Sequence, residues 1–456
     1  MNRGQRATRF SFLHLLAALL LAGSAVVALG REAETPFQVA GRITLSLGFL
    51  MLFAHAAAHV LVLFRLPRIT GYIFAGILVG PHAAKLLTAS MVRDLALIDD
   101  LALSFIALAA GGSLRLASLR KRSIAIGANV GIQSILIFGA VFAFVVYGAG
   151  LFAYTASFSR PQVLAVAVLL GVTAIARSPS SAIAVISECR ARGVFTETLL
   201  GVTVAIDVVI ILLFTLAISV SRALVFAGQG LNASVFAGVG LEIAASIVVG
   251  ATLGRVVILY IERVGKDLVL FLACFAFGTT KCAHWLADYT HTRFGMGMEL
   301  EPLLICMTAG FVVMNASRHG ERFVETLEAF SLPIYVLFFS LAGARLDLGA
   351  LAITWPLALT LVVVRGMGIA AGSWVSGLIA RDPPIRRNHA WMGYMAQAGV
   401  AIGLAQLASR QFPEIGDILA TIVLAVITIN QIVGPVLLKV ALSRVGDAGR
   451  KRGDEG

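Results

Sequence analysis

An aspartate interrupts an otherwise apolar stretch. Asp207 lies in residues 199–219 (LLGVTVAIDVVIILLFTLAIS), and an ionisable side chain near the middle of a membrane-length segment is costly enough to mark an ion or proton path by default. Arg365 has the same setting in residues 359–372 (LTLVVVRGMGIAAG). Counted at ~1.5 Å per residue from the starts of their helices, Asp207 is ~16 Å deep and Arg365 ~18 Å deep, so both reach the midplane. A carboxylate there can hold a proton or a metal cation but not both, and its surroundings can set its proton affinity near the working pH. A guanidinium keeps its proton under any plausible burial, which suits a structural counter-charge better than a proton carrier.

The next candidates are polar residues where a helix should fail. Residues 176–181 read ARSPSS. The proline removes a backbone donor and the serines offer local hydrogen-bond partners, so the apolar run 162–187 is expected to break inside the membrane. A later run, 389–409, carries Gln397, Ala398 and Gly399 followed by Gly403. Interruptions at corresponding positions of two halves point to a midplane ion site, where freed carbonyls and half-helix ends can face a cation. Thr173, Ser178, Ser180, Ser181 and Gln397 are the candidate oxygen ligands. Serine and threonine also pack helices in membranes, which is the competing reading of them. Arg177, at the break itself, is grouped with Arg365 as a structural counter-charge that caps freed carbonyls or offsets charge.

Other polar residues have plainer explanations. His55 and His59 are four apart, but neither a carboxylate nor a cysteine accompanies them, so no metal site is expected. Asp99 and Asp100 stand near one helix start, where carboxylates either help ion entry or only cap the helix, and Glu299 and Glu301 flank another before Pro302, a favourable place for carboxylates irrespective of function. Cys189, Cys274, Cys282 and Cys306 show no disulfide or metal spacing. The sequence has no Walker loop, hydrolase elbow or metalloprotease pattern, which disfavours nucleotide-driven pumping and catalysis, and no cofactor is expected.

These residues need a membrane scaffold, and the composition provides it. Of 456 residues 59% are hydrophobic and 13% charged, with a mean hydropathy of +0.92, more apolar surface than a soluble core can hide. Apolar runs fall at 10–30, 38–64, 69–87, 95–114, 123–149, 162–187, 196–220, 233–260, 267–287, 299–315, 330–348, 352–380, 389–409 and 415–443. With the first set aside, the expectation is an all-α polytopic membrane protein of about thirteen transmembrane helices. Residues 1–37, with Arg3, Arg6 and Arg9 before the apolar part, read equally as a secretory signal or an extra helix. Residues 38–443 form the transmembrane domain and 444–456 a basic tail, with no soluble nucleotide-binding domain expected. Placing that tail inside puts an excess of loop arginines and lysines on its side, among them Arg120, Lys121, Arg122, Arg381, Arg386 and Arg387, so the C-terminus is predicted to be cytoplasmic. Loop placement also accounts for the net charge of +12 without nucleic acid as a partner. Runs 38–220 make a block of six, 233–260 a lone helix and 267–443 another six, an offset that would invert the second repeat relative to the first.

Four stretches in order carry a resemblance. They are Leu66-Pro67-Arg68-Ile69-Thr70-Gly71-Tyr72 leading to Ala75-Gly76-Ile77-Leu78-Val79-Gly80-Pro81, then Ser178-Pro179-Ser180-Ser181, then Gln397-Ala398-Gly399-Val400-Ala401-Ile402-Gly403-Leu404-Ala405, and Gly434-Pro435-Val436-Leu437-Leu438. Together they resemble the monovalent cation:proton antiporters, in the branch that includes Kef-type potassium efflux systems and sodium:proton exchangers, over residues 38–443. The resemblance implies a six-helix core with two broken helices crossing near the midplane, moving against a flatter dimerisation domain, and hence a homodimer. It puts Asp207 at the family's ion-binding carboxylate and Arg365 where related antiporters keep a lysine or arginine. Relatives often carry a polar or acidic residue just before that carboxylate, and this sequence has Ile206.

The expected activity is secondary-active exchange of protons for sodium or potassium across a bacterial inner membrane, electroneutral at one proton per monovalent cation. Two other readings stand beside it. One is a potassium efflux protein gated by a separate soluble partner; the other is a non-transporting membrane sensor or scaffold in which Ile206 replaces a needed polar group.

Overall fold

A backbone in hydrocarbon has to satisfy its own polar groups, so long apolar runs become helices. The computed structural model describes residues 16, 19–21, 23–24, 36–64, 66–148, 158–225, 233–294, 300–346, 348–397, 401, 404–405, 408, 412 and 415–449. Every regular element among them is helical. In order these are α1 (Pro36–Leu63), α2 (Arg68–Val79), α3 (Ala89–Asp94), α4 (Ala96–Ser113), α5 (Leu116–Lys121), α6 (Ser123–Gly148), α7 (Arg160–Thr173) and α8 (Pro179–Glu188). They continue with α9 (Val194–Val225), α10 (Ala233–Arg263), α11 (Leu268–Phe294), α12 (Pro302–Ala316), α13 (Gly320–Ala344), α14 (Leu348–Ile379), α15 (Pro384–His389), a 3₁₀ turn (Ala390–Tyr394) and α16 (Gly416–Val445). Among the described residues eight helices, α1, α6, α9, α10, α11, α13, α14 and α16, are long and apolar enough to cross a membrane, which makes this a multi-pass membrane protein. Most of the run at 10–30 lies outside the described residues, as do positions 398–400, 402–403, 406–407 and 409 of the run 389–409.

Two expected runs are drawn differently. The run 69–87 is helical only to Val79, because Gly80, extended at φ −70° and ψ 175°, precedes Pro81, and the residue before a proline is pushed out of the helical region. The run 330–348 begins at Gly320. Its first turns carry Glu321, Arg322, Glu325 and Glu328, a solvated start that an apolar pattern cannot register.

The chain divides into two compact units. One comprises residues up to Leu103 with Ala329–Leu346. Within it α1 packs on α2, closely because Gly71 meets the backbone of Ala58, and Gly76 of α2 likewise meets the carbonyl of Ser340 on α13, the small-residue packing expected between membrane helices. Phe49, Leu50, Val79, Leu87, Met91 and Leu341 form an apolar cluster there. The other unit comprises Ser104–Glu328 and Asp347–Gly456. In it α14 packs on α6 and α16, α9 on α7, and α10 on α12.

Candidate ion-binding site

The second unit contains both interruptions. Helix α7 ends at Thr173 and α8 begins with Pro179 at its first position, where the missing N–H costs nothing. Ser178, extended at φ −112° and ψ 100°, caps α8 by accepting a hydrogen bond from the Ser181 N–H at 3.1 Å. After the 3₁₀ turn, residues 395–397 are also non-helical. Helix α16 bears directly on that segment, since a Cβ on Gly434 would lie 2.5 Å from the Ala396 Cα.

The two interruptions meet. The Ser178 N–H donates to the Ala396 carbonyl at 3.1 Å. Arg365, buried on α14, spans both: Nε donates to the Ala174 carbonyl at 2.7 Å, Nη2 to Ala176 at 3.0 Å and Nη1 to Met395 at 2.9 Å. One planar guanidinium thus satisfies three carbonyls that the breaks release, each such charge-assisted bond contributing ~1.5–3 kcal/mol. From the second break, Gln397 Nε2 donates to the Thr173 carbonyl at 3.0 Å, and Asn430 Nδ2 on α16 donates to Gln397 Oε1 at 3.0 Å.

Arg177 sits in the first break and is also buried. Its Nη2 donates to Gln133 Oε1, Gln133 Nε2 donates to Asn129 Oδ1 at 2.6 Å, and Asn129 Nδ2 donates to the Ala125 carbonyl at 2.8 Å. The guanidinium carbon lies 4.4 Å from the centre of the Tyr394 ring, a cation–π contact that is strengthened by exclusion of water. Its Nε and Nη1 are buried without a hydrogen-bond partner.

Asp207 projects from α9 beside the helix's buried stripe of Leu199, Val202, Thr203, Ile206, Ile210 and Phe214. Its Oδ1 is buried and has no hydrogen-bond partner, an arrangement a folded protein rarely leaves in place without a use for it. Arg177 lies within electrostatic reach of the carboxylate, as does Glu301 at the N-terminus of α12. Ile206 is fully buried, so the position before Asp207 belongs to the packing stripe.

The sequence-predicted residues divide by what they touch. Arg177, Ser178 and Gln397 lie in the two breaks, Thr173 ends α7 beside the first, and Arg365 reaches both from α14. Thr173 Oγ1 donates back to the Leu169 carbonyl at 2.6 Å, and Ser178, Ser180 and Ser181 hydrogen-bond among themselves. Ala398, Gly399 and Gly403 lie outside the described residues. Asn129, Gln133, Tyr394 and Asn430 were not singled out from the sequence. A signal for the amides was present: Asn129 and Gln133 are four apart within an apolar run, and Asn430 is an amide within another, where polar side chains seek partners on other helices.

With this geometry in view, comparison with known proteins gives a consistent answer. The family model described as sodium/hydrogen exchanger, transmembrane, matches residues 48–444. The chain belongs to that family. As a member it is a cation:proton antiporter, a transporter whose substrates are protons and a monovalent cation. Its fold matches solved structures of MjNhaP1, a sodium proton antiporter from Methanocaldococcus jannaschii. The structure at pH 8 aligns with a TM-score of 0.61 at 16% identity, covering 89% of this chain and 97% of that one. The electron-microscopy structure gives 0.66 at 15% identity, covering 89% and 98%. No curated protein sequence matches the chain.

Proposed function

We propose that this antiporter exchanges one proton for one sodium or potassium ion, with Asp207 as the site that both occupy in turn. The observation that carries the reading is the buried, unpartnered Oδ1 of Asp207. A bare carboxylate in that position is expensive. Protonation or a bound cation removes the charge, so either loaded form can change its access from one side of the membrane to the other while the empty form is held back. The remaining ligands are drawn from Thr173, Ser178, Ser180, Ser181 and Gln397 at the breaks. Asn430 joins them because its Oδ1 is buried without a partner. Arg365 is committed to three carbonyls and Arg177 to Gln133, so both act as fixed counter-charges and neither enters the proton count. One proton against one monovalent cation moves no net charge. The working setting is a homodimer in a bacterial inner membrane with its C-terminus in the cytoplasm.

The test is proton flux in proteoliposomes with a preset pH gradient, adding sodium or potassium while an ionophore clamps the membrane voltage at different values. Cation-driven proton flux that is insensitive to voltage is the expected result, and the active ion names the substrate. Voltage-dependent exchange would overturn electroneutrality. Potassium flux indifferent to the pH gradient would replace exchange with gated efflux.

A further inference from the structure

The far end of α14 carries a cavity that the ion path does not use. It is open, holds about 400 Å³ and is lined by Ala371, Trp374, Val375, Arg387, Asn388 and Trp391. We propose that it binds the headgroup of an anionic phospholipid, the phosphate resting on Arg387 and the first acyl carbons against Trp374 and Trp391.

Four observations lead there. Arg387 is held in place: its guanidinium carbon lies 5.3 Å from the centre of the Trp374 ring. Its stem packs on Gly377, where an added Cβ would stand 3.0 Å from the Arg387 Cγ. The guanidinium also lacks an anion, since Nε is buried without a hydrogen-bond partner and no carboxylate among the described residues pairs with it. The nearby Asp382 is engaged by Arg386 at 3.3 Å. Finally, the place is a membrane boundary. The apolar part of α14 ends at Ile379 and gives way to Arg381, Arg386 and Arg387, and Trp374 remains partly exposed.

Tryptophans settle at the headgroup level, and basic pockets between membrane helices recognise anionic lipid heads. Arginine matches a phosphate with two parallel donors. The walls decide between a lipid and a free oxyanion. Two indoles, the alanines Ala370 and Ala371 and a valine offer a soluble phosphate nothing, whereas a phospholipid uses both the cation and the apolar lining. Trp374 is ~14 Å along the helix from Arg365, which separates this site from the ion path.

The chain's four tryptophans, Trp285, Trp355, Trp374 and Trp391, make the site readable by fluorescence. With Trp285→Phe and Trp355→Phe as background, the full-length protein is reconstituted in phosphatidylcholine vesicles containing the same low mole fraction of brominated phosphatidylglycerol or brominated phosphatidylcholine. The expected result is stronger quenching by the anionic lipid, equivalent to an enrichment of about five-fold, the worth of one basic residue at an anionic surface. Arg387→Gln should abolish the excess and Arg387→Lys should keep only part of it, since an ammonium retains the charge but not the two parallel donors. Equal quenching by the two lipids, or an excess that survives Arg387→Gln, overturns the proposal. Loss of the excess on adding inorganic phosphate overturns the lipid assignment in favour of a soluble oxyanion.

Discussion

Asp207 and Arg365 are both intramembrane charges, yet substitution should affect them in opposite ways. Asp207 Oδ1 makes no hydrogen bond, so Asp207→Asn should abolish exchange while leaving the thermal midpoint unchanged or raised, because a buried carboxylate is replaced by a neutral isostere. A midpoint that falls by many degrees would indicate a structural role. Arg365 holds three carbonyls from two breaks. Arg365→Ala should therefore destabilise the protein by about 3 kcal/mol or more, and Arg365→Lys by less, since an ammonium cannot reproduce the fork; thermal unfolding in detergent measures both. That these two charges interrupt long apolar helices was legible in the sequence, because position along an apolar run can be counted. Their partners were not. Nothing local to Arg365 says that its donors reach the carbonyls of Ala174 and Ala176, and Gln133 meets Arg177 only once α6 and α7 pack.

The elements that position these side chains depend on a few backbone approaches. The second break rests on α16 at Gly434, where a Cβ would come within 2.5 Å of the Ala396 Cα. Gly434→Val therefore cannot be accommodated by a side-chain shift. It should lower the yield of monodisperse protein in size-exclusion chromatography, and an undisturbed profile with normal transport would refute the contact. The first break was readable from Ser178 and Pro179, residues with a local mechanism for stopping and restarting a helix. The start of α9, which carries Asp207, was readable to within two residues, but its cap was not, because it comes from the other end of the chain. Asp447 Oδ2 accepts from the Thr196 N–H at 2.9 Å and from Thr196 Oγ1 at 3.0 Å. Gly446, in the left-handed region at φ 81°, turns the chain out of α16 to make this possible. Asp447 thus caps α9, where composition alone suggested only a tail. Asp447→Ala should cost ~1–2 kcal/mol, the usual worth of a lost helix cap, read as a lower thermal midpoint.

At the scale of the molecule, the sequence's apolar periodicity and motif order were enough to indicate a multi-pass antiporter, and the family match over residues 48–444 agrees. The resemblance implied that the two broken helices cross; what the pattern could not supply is the set of bonds that closes the breaks on one another, made by Arg365, Gln397 and Asn430 from three different segments. Arg177, in the first break, lies within electrostatic reach of Asp207, whose Oδ1 is buried without a hydrogen-bond partner, and the proposed cycle builds on that carboxylate. The most direct test is proton flux in proteoliposomes holding a preset pH gradient, comparing the parent protein with Asp207→Asn on addition of sodium or potassium. Cation-driven dissipation in the parent and none in a folded Asp207→Asn variant is the predicted result. Equal dissipation in both would contradict Asp207 as the shared site.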